Sequence, residues 1–140
     1  PHGVLHVARR FAEALDGEDF AALPALLAPD VRYASPQGEM QDPAAIVASY
    51  CDNAAWARDT LDQIIWRSEV TLDPDGRARV TFIDITQHAG QHHEYRCQQV
   101  LRINEAGKID HIEHVALPAE EEGQAAFFER VGVRRPSRPT

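Results

Sequence analysis

The sequence predicts an α+β domain in which one long, twisted sheet curls over helices. Three observations predict it. Helix-period segments come first and strand-period segments later, so the two kinds of element are segregated along the chain. The turn signals Asp73-Pro74-Asp75-Gly76 and Asn104-Glu105-Ala106-Gly107 then cut the later half into strands, which short turns join as antiparallel hairpins. Finally, 140 residues with 44% hydrophobic content suffice for a single core. The helices need one apolar sheet face to cover, and a sheet that curls around them leaves a hollow where small molecules bind.

Val4, Val7, Ala8, Phe11, Ala14 and Leu15 recur at three- and four-residue spacing, predicting a helix over 4–16 that Gly17 ends. A second helix is expected over 18–28, facing Phe20, Leu23, Leu26 and Leu27 inward and stopped by Pro29. Residues 30–35 alternate like a strand, and Pro36-Gln37-Gly38 reads as a turn. Asp42 is placed as an N-cap with Pro43 at the first helical position of a third helix, which runs to about Arg58. Strands are expected over 63–72, 78–88, 93–103 and 108–117, with a loop around Ala89-Gly90. Pro118 and the acidic run Glu120–Glu122 suit a helix N-terminus, where the dipole favours negative charge. That helix would set Ala126, Phe127 and Val131 on the body. Residues 1–133 are read as one domain and 134–140, rich in proline and arginine, as a flexible tail.

The formal net charge is −8, from 14 Lys+Arg against 22 Asp+Glu. An acidic chain lacks the basic stripe that phosphate backbones attract, so nucleic acid is not an expected partner, and neither is an anionic membrane surface. The apolar stretch 21–28 is too short to span a bilayer. Cys51 and Cys97 make no CxxC pair or disulfide framework, and the chain opens Pro1-His2-Gly3 with no leader pattern; both point to a reducing, cytoplasmic setting.

Three segments carry a family likeness: Ala14-Leu15-Asp16-Gly17-Glu18-Asp19-Phe20, Leu26-Leu27-Ala28-Pro29-Asp30-Val31 and Asn104-Glu105-Ala106-Gly107-Lys108-Ile109. In that order and spacing the chain resembles the nuclear transport factor 2-like (NTF2-like) superfamily, nearest its SnoaL-like and ketosteroid-isomerase-like branch, over about residues 4–131. The resemblance implies a cone-shaped antiparallel or mixed sheet wrapped around three N-terminal helices, a homodimer and an apolar pocket. It does not imply one activity, because the fold hosts isomerases, dehydratases, cyclases, epoxide hydrolases and non-enzymes. Ketosteroid isomerase uses an aspartate base and an oxyanion hole of tyrosine and protonated aspartate. The matching positions here are Ser35, Phe11 and Gln99, so a steroid isomerase of that mechanism is not expected.

Alternation along the strands assigns the lining of the hollow. If Gln99 points inward, so do His93, Tyr95, Cys97, Leu101 and Ile103, while Glu94, Arg96, Gln98, Val100 and Arg102, mostly polar, point out. Val80, Phe82, Asp84, Thr86 and His88 follow on the preceding strand, and Ile112 and His114 on the last. Hairpin register is expected to put Asp84 and His114 on strands flanking Cys97 and nearly level with it, with backbones ~9–10 Å apart. A carboxylate and an imidazole in an apolar cavity make an acid/base couple, Asp84 orienting or replacing the His114 ring that moves the proton. The alternative is a buried Asp–His hydrogen bond that only stabilises the core, since structural pairs perturb titration too. Tyr33, Tyr50 and Tyr95 could donate to a ligand oxygen or simply pack with their hydroxyls at a rim. Trp56 and Trp66 read as core or cavity wall, Ser35 as a turn residue near the pocket mouth, and Cys97 as a buried, inert thiol.

His88, His92 and His93 raise the question of a metal. Adjacent His92 and His93 point to opposite faces of a strand, as do His111 and His114, so the cluster reads as solvated histidines at a hairpin tip with no metal. The functional expectation is a cofactor-free isomerase, dehydratase or cyclase of lyase or isomerase type, acting on a small apolar oxygen-bearing ligand. The alternative is a non-catalytic ligand-binding or dimerisation module of the same fold. A transport adaptor is disfavoured, since no extra recognition segment is visible.

Overall fold

The computed structural model describes residues 2–135. Helix α1 spans His2–Asp16. Two single 3₁₀ turns follow, Phe20–Ala22 and Pro24–Leu26, before strand β1, Leu27–Ser35. Strand β2 is Gly38–Gln41, helix α2 is Pro43–Thr60, and strand β3 is Gln63–Leu72. Strands β4 (Ala78–His88), β5 (Gln91–Ile103) and β6 (Ile109–Val115) complete the sheet, and helix α3 is Pro118–Val131.

The sheet order is β2-β1-β6-β5-β4-β3. All neighbours are antiparallel except β1 and β6, which run parallel, so the sheet is mixed. The α+β architecture is the expected one, but its N-terminal part holds two α-helices and two 3₁₀ turns instead of three helices. The expected helix over 18–28 fails because Pro24 supplies no amide hydrogen and blocks a continuous ladder. Pro29 does not stop a helix either. It lies inside β1, where the pairing with β6 slips between Leu27 and Arg32, and a strand irregularity is where a donor-less residue is tolerated. Strand β2, of which the sequence pattern marks only Gly38, as a turn residue, is a short exposed edge whose Met40 pairs with Tyr33.

The helices cover the concave face in two patches. One gathers Phe11 and Ala8 of α1, Leu23, Leu26, Val31, Ile46, Val80, Leu101, Ile109 and Ile112. The other joins the end of α2 to the start of β3 and to α3 through Ala57, Leu61, Ile64, Phe127 and Phe128, with Trp56 and Trp66 packed against them. On α3 the inward residues are Gln124, Phe127 and Phe128, whereas Ala126, expected inward, is exposed. Gly132 closes α3 in the left-handed conformation, φ 73°, and donates its amide to Glu129 and Phe128 carbonyls.

Candidate active site

The expected strand phase holds. Across β3, β4, β5 and β6 the concave rows read Val70–Val80–Gln99–His114, then Ser68–Phe82–Cys97, then Trp66–Asp84–Tyr95, then Ile64–Thr86–His93. Tyr95, Gln99 and Leu101 are buried while Glu94, Arg96 and Arg102 are exposed. Val100 departs from the simple alternation: it is buried on the convex face, paired with Arg79 and Glu113.

The expected register does not hold. Phe82, not Asp84, pairs with Cys97; Asp84 pairs with Tyr95, and His114 pairs with Gln99. Asp84 and His114 are therefore displaced in opposite directions from Cys97. Besides two strand spacings, ~10 Å, they are offset by the four-residue step from Tyr95 to Gln99, ~13 Å of strand rise. The cause lies in the turns. His88 pairs with Gln91 across a two-residue turn, Ala89-Gly90, in which both residues have positive φ (51° and 76°), the type I′ arrangement that keeps a hairpin tight. β5 thus begins two residues earlier than the expected position 93. A slip at Arg102/Ile103 shifts β6 as well.

Instead of an Asp–His couple, the floor of the first patch carries a polar network centred on Gln99, which is 4% exposed. The Tyr50 hydroxyl donates to Gln99 Oε1 at 2.7 Å. Gln99 Nε2 lies 3.4 Å from the Tyr33 hydroxyl and 3.3 Å from His114 Nδ1. An amide nitrogen only donates, so its bond to His114 needs a neutral ring with the proton on Nε2. A doubly protonated ring would face donor with donor, until the amide turned over and gave up its bond from Tyr50. Tyr50 keeps its proton: burial first, then the neighbouring Tyr33, push its pKa well up, against the opposing effect of the Gln99 bond. Phe11 walls the network, edge-on to Tyr50 at 5.9 Å and to Phe82 at 6.4 Å, and Tyr33 meets Tyr50 edge-on at 6.2 Å. Ile112 is fully buried beneath, between Leu101 and Tyr33 in the sheet.

Other expected residues have other tasks. The Tyr95 hydroxyl donates a hydrogen bond to the Glu121 carboxylate of α3 and keeps its proton, since burial raises its pKa far above the phenol range. Glu120 beside it accepts the Arg96 amide at 2.7 Å, so the acidic start of α3 docks onto β5. Ser35 Oγ bonds the Gly38 carbonyl at 3.3 Å and the Gln37 amide at 3.2 Å, which are turn contacts. Cys97 is half-buried on the concave floor. His88 accepts the Asp62 amide, His92 is exposed and His93 turns inward; no group of three or more potential ligands that could hold a metal exists among the described residues.

Asp84 belongs to a separate recess under the second patch, of only about 20 Å³, lined by Trp56, Trp66, Thr86, Phe128, Asn53, Gln124 and Arg135 among others. That is room for a single water. Arg135 falls in the stretch expected to be a loose tail, yet Nη1 and Nη2 donate to Gln124 Oε1 at 3.0 Å and Asn53 Oδ1 at 2.6 Å. Residues 136–140 of that stretch lie outside the described residues. Sequence reading missed Asn53, Gln124 and Arg135 as site residues; the inward spacing of Gln124 with Phe127 and Phe128 was the available signal. A larger cavity of about 410 Å³ lies on the convex side, among Asp30, Arg32, Arg77, Arg102, Asp110 and His111. Its cations are compensated, Arg102 by Asp110 at 2.8 Å and Arg32 by Glu39 at 2.6 Å.

Solved structures share this arrangement. An NTF2-like protein from Exiguobacterium aligns at 15% identity over 78% of this chain and 96% of its own, with a TM-score of 0.60. An LEH-like epoxide hydrolase from Mycobacterium tuberculosis aligns at 13% identity over 92% and 97%, TM-score 0.63. A proposed polyketide cyclase from Xanthomonas campestris aligns at 20% over 86% and 94%, TM-score 0.64. At these identities the likeness is one of fold, and the fold is NTF2-like. Residues 8–112 match the SnoaL-like domain family, and the chain belongs to it. No curated protein sequence matches.

Proposed function

We propose that the domain binds a small apolar molecule bearing an oxygen and transforms it by proton transfer without a cofactor, in an isomerisation, dehydration or cyclisation. The observation that carries this is the buried Tyr50–Gln99–Tyr33/His114 network on the concave face. In this reading the ligand oxygen takes hydrogen bonds from a tyrosine hydroxyl or from the Gln99 amide. His114 is the general acid/base, and the Gln99 contact selects its tautomer. Asp84, too far along the sheet to orient the ring, acts as a separate acid/base group toward the other end of the ligand. Phe82, Trp66 and Cys97, between the two groups, contact its apolar body. Membership of a family whose fold includes an epoxide hydrolase and a proposed cyclase supports small-molecule chemistry. The homodimer and the cytoplasmic setting expected from the sequence belong to the same proposal; among the described residues, no helix is long and apolar enough to cross a membrane.

The test is hydrogen–deuterium exchange at the α-carbon of an apolar cyclic ketone, 2-tetralone, followed by proton NMR in D₂O. The protein is expected to accelerate exchange, and His114→Ala to lower that acceleration by about 100-fold or more. Asp84→Asn should lower it as well. Acceleration unchanged in both variants overturns the assignment. The small Asp84 recess favours a second reading, a binding module without catalysis. It predicts 2-tetralone-induced chemical-shift changes at Tyr50 and Gln99 with no exchange.

A further inference from the structure

Arg135 lies three residues past Gly132, where the chain leaves α3, and returns to the recess between α2, α3 and the β3–β4 end of the sheet. Its guanidinium carbon stands 5.3 Å from the centre of the Trp56 ring. Two amide oxygens from two different helices converge on its edge, Asn53 Oδ1 from α2 and Gln124 Oε1 from α3. Gln124 is itself only 9% exposed, so the acceptor it offers Arg135 is largely shielded from water. Asp84, Thr86 and Trp66 line the same recess behind them. An aromatic face, two amide oxygens and a nearby carboxylate suit a planar delocalised cation, and the aromatic face with paired acceptors suits a guanidinium better than an ammonium. The chain as a whole, at −8, draws cations toward it.

We infer that this recess is a binding site for a small molecule bearing a guanidinium or amidinium group on an apolar body, and that Arg135 fills it from within the chain. Ligand binding and release of the Arg135 side chain are then one exchange. Arg135 gives up Asn53, Gln124 and the Trp56 face, and the incoming cation takes them over. The volume opened by the departing side chain turns a recess of one-water size into a pocket. The site shares Asp84 and Trp66 with the reading proposed above but not His114, and benzamidine binding is measured without any exchange reaction, so either can fail alone.

Isothermal titration with benzamidine tests the inference, using the full chain and its Arg135→Ala and Arg135→Gln variants; either variant decides, should the other fail to fold. Both are expected to bind benzamidine at least tenfold more tightly than the parent, because the competing side chain is gone. Adding Asp84→Asn to Arg135→Ala should weaken benzamidine at least tenfold. Benzamide, the neutral molecule of the same shape, should bind Arg135→Ala at least tenfold more weakly than benzamidine does. Equal benzamidine affinity in parent and variants overturns the inference, as does benzamide binding on a par with benzamidine.

Discussion

His93 shows how one side chain can carry a pH dependence. Its ring stacks on Phe127 of α3, with centroids 5.0 Å apart and planes 13° from parallel, and its buried Nε2 has no hydrogen-bond partner. Burial holds its pKa below the ordinary value of 6.5, Arg130 lowers it further, and Glu120 and Glu94 act in the opposite sense. The folded state therefore favours the neutral ring, while the unfolded chain takes up the proton first as the solution is acidified. The contribution to stability is complete above about 6.5 and is lost as pH falls through the lowered folded value. Between pH 7.5 and 5.5 the thermal midpoint should fall, and His93→Phe, which keeps an aromatic ring against Phe127, should flatten that slope. Calorimetry across the range checks it; parallel slopes for parent and variant would refute it. At this scale the sequence was informative about direction and silent about partners. Alternation turned His93, Tyr95 and Gln99 inward, because side-chain direction follows from the strand backbone alone. That Tyr95 meets Glu121, and Gln99 meets Tyr50 and His114, depends on residues 15 to 49 positions away in the chain.

Elements whose ends are set by local chemistry matched expectation, and those set by neighbours did not. Helix α2 begins at Pro43 behind an Asp42 cap, as read from Asp-Pro. The cap has a cost: Asp42 sits at φ 85°, a region side chains avoid, while its carboxylate accepts the Ala44 amide at 3.2 Å. Asp42→Ala loses the hydrogen bond and keeps the strain, so it should destabilise by about 1–2 kcal/mol. Asp42→Gly loses the bond but relieves the strain and should cost only a few tenths of that order, roughly 0.3 kcal/mol. Urea midpoints for both variants measure the difference, and a glycine variant less stable than the alanine one would contradict it. Strand β1 is the opposite case. Its start at Leu27, ahead of Pro29, is imposed by parallel pairing with Ile109 of β6, a partner no local pattern announces.

The molecule as a whole rests on two apolar patches under one sheet, built around Phe11 and around Phe127, both fully buried. Strand β3 contributes to both, Val70 to the first and Ile64 and Trp66 to the second, and His93 of β5 stacks on Phe127, so the patches should unfold together. Phe11→Ala and Phe127→Ala are each expected to cost about 3–5 kcal/mol and to shift a single urea transition. Two separated transitions in either variant would show independent units. From sequence alone came the α+β class, the order of nearly all elements, and which face of β4, β5 and β6 turns toward the helices. These are properties of backbone periodicity, and a two-residue slip leaves a strand's faces unchanged. Only the folded chain decided the level at which Asp84 and His114 stand, the company Gln99 keeps, and the return of Arg135 to Trp56. Those follow from turn lengths, one bulge and contacts between distant segments, which are fixed by the packing of the entire sheet against its helices.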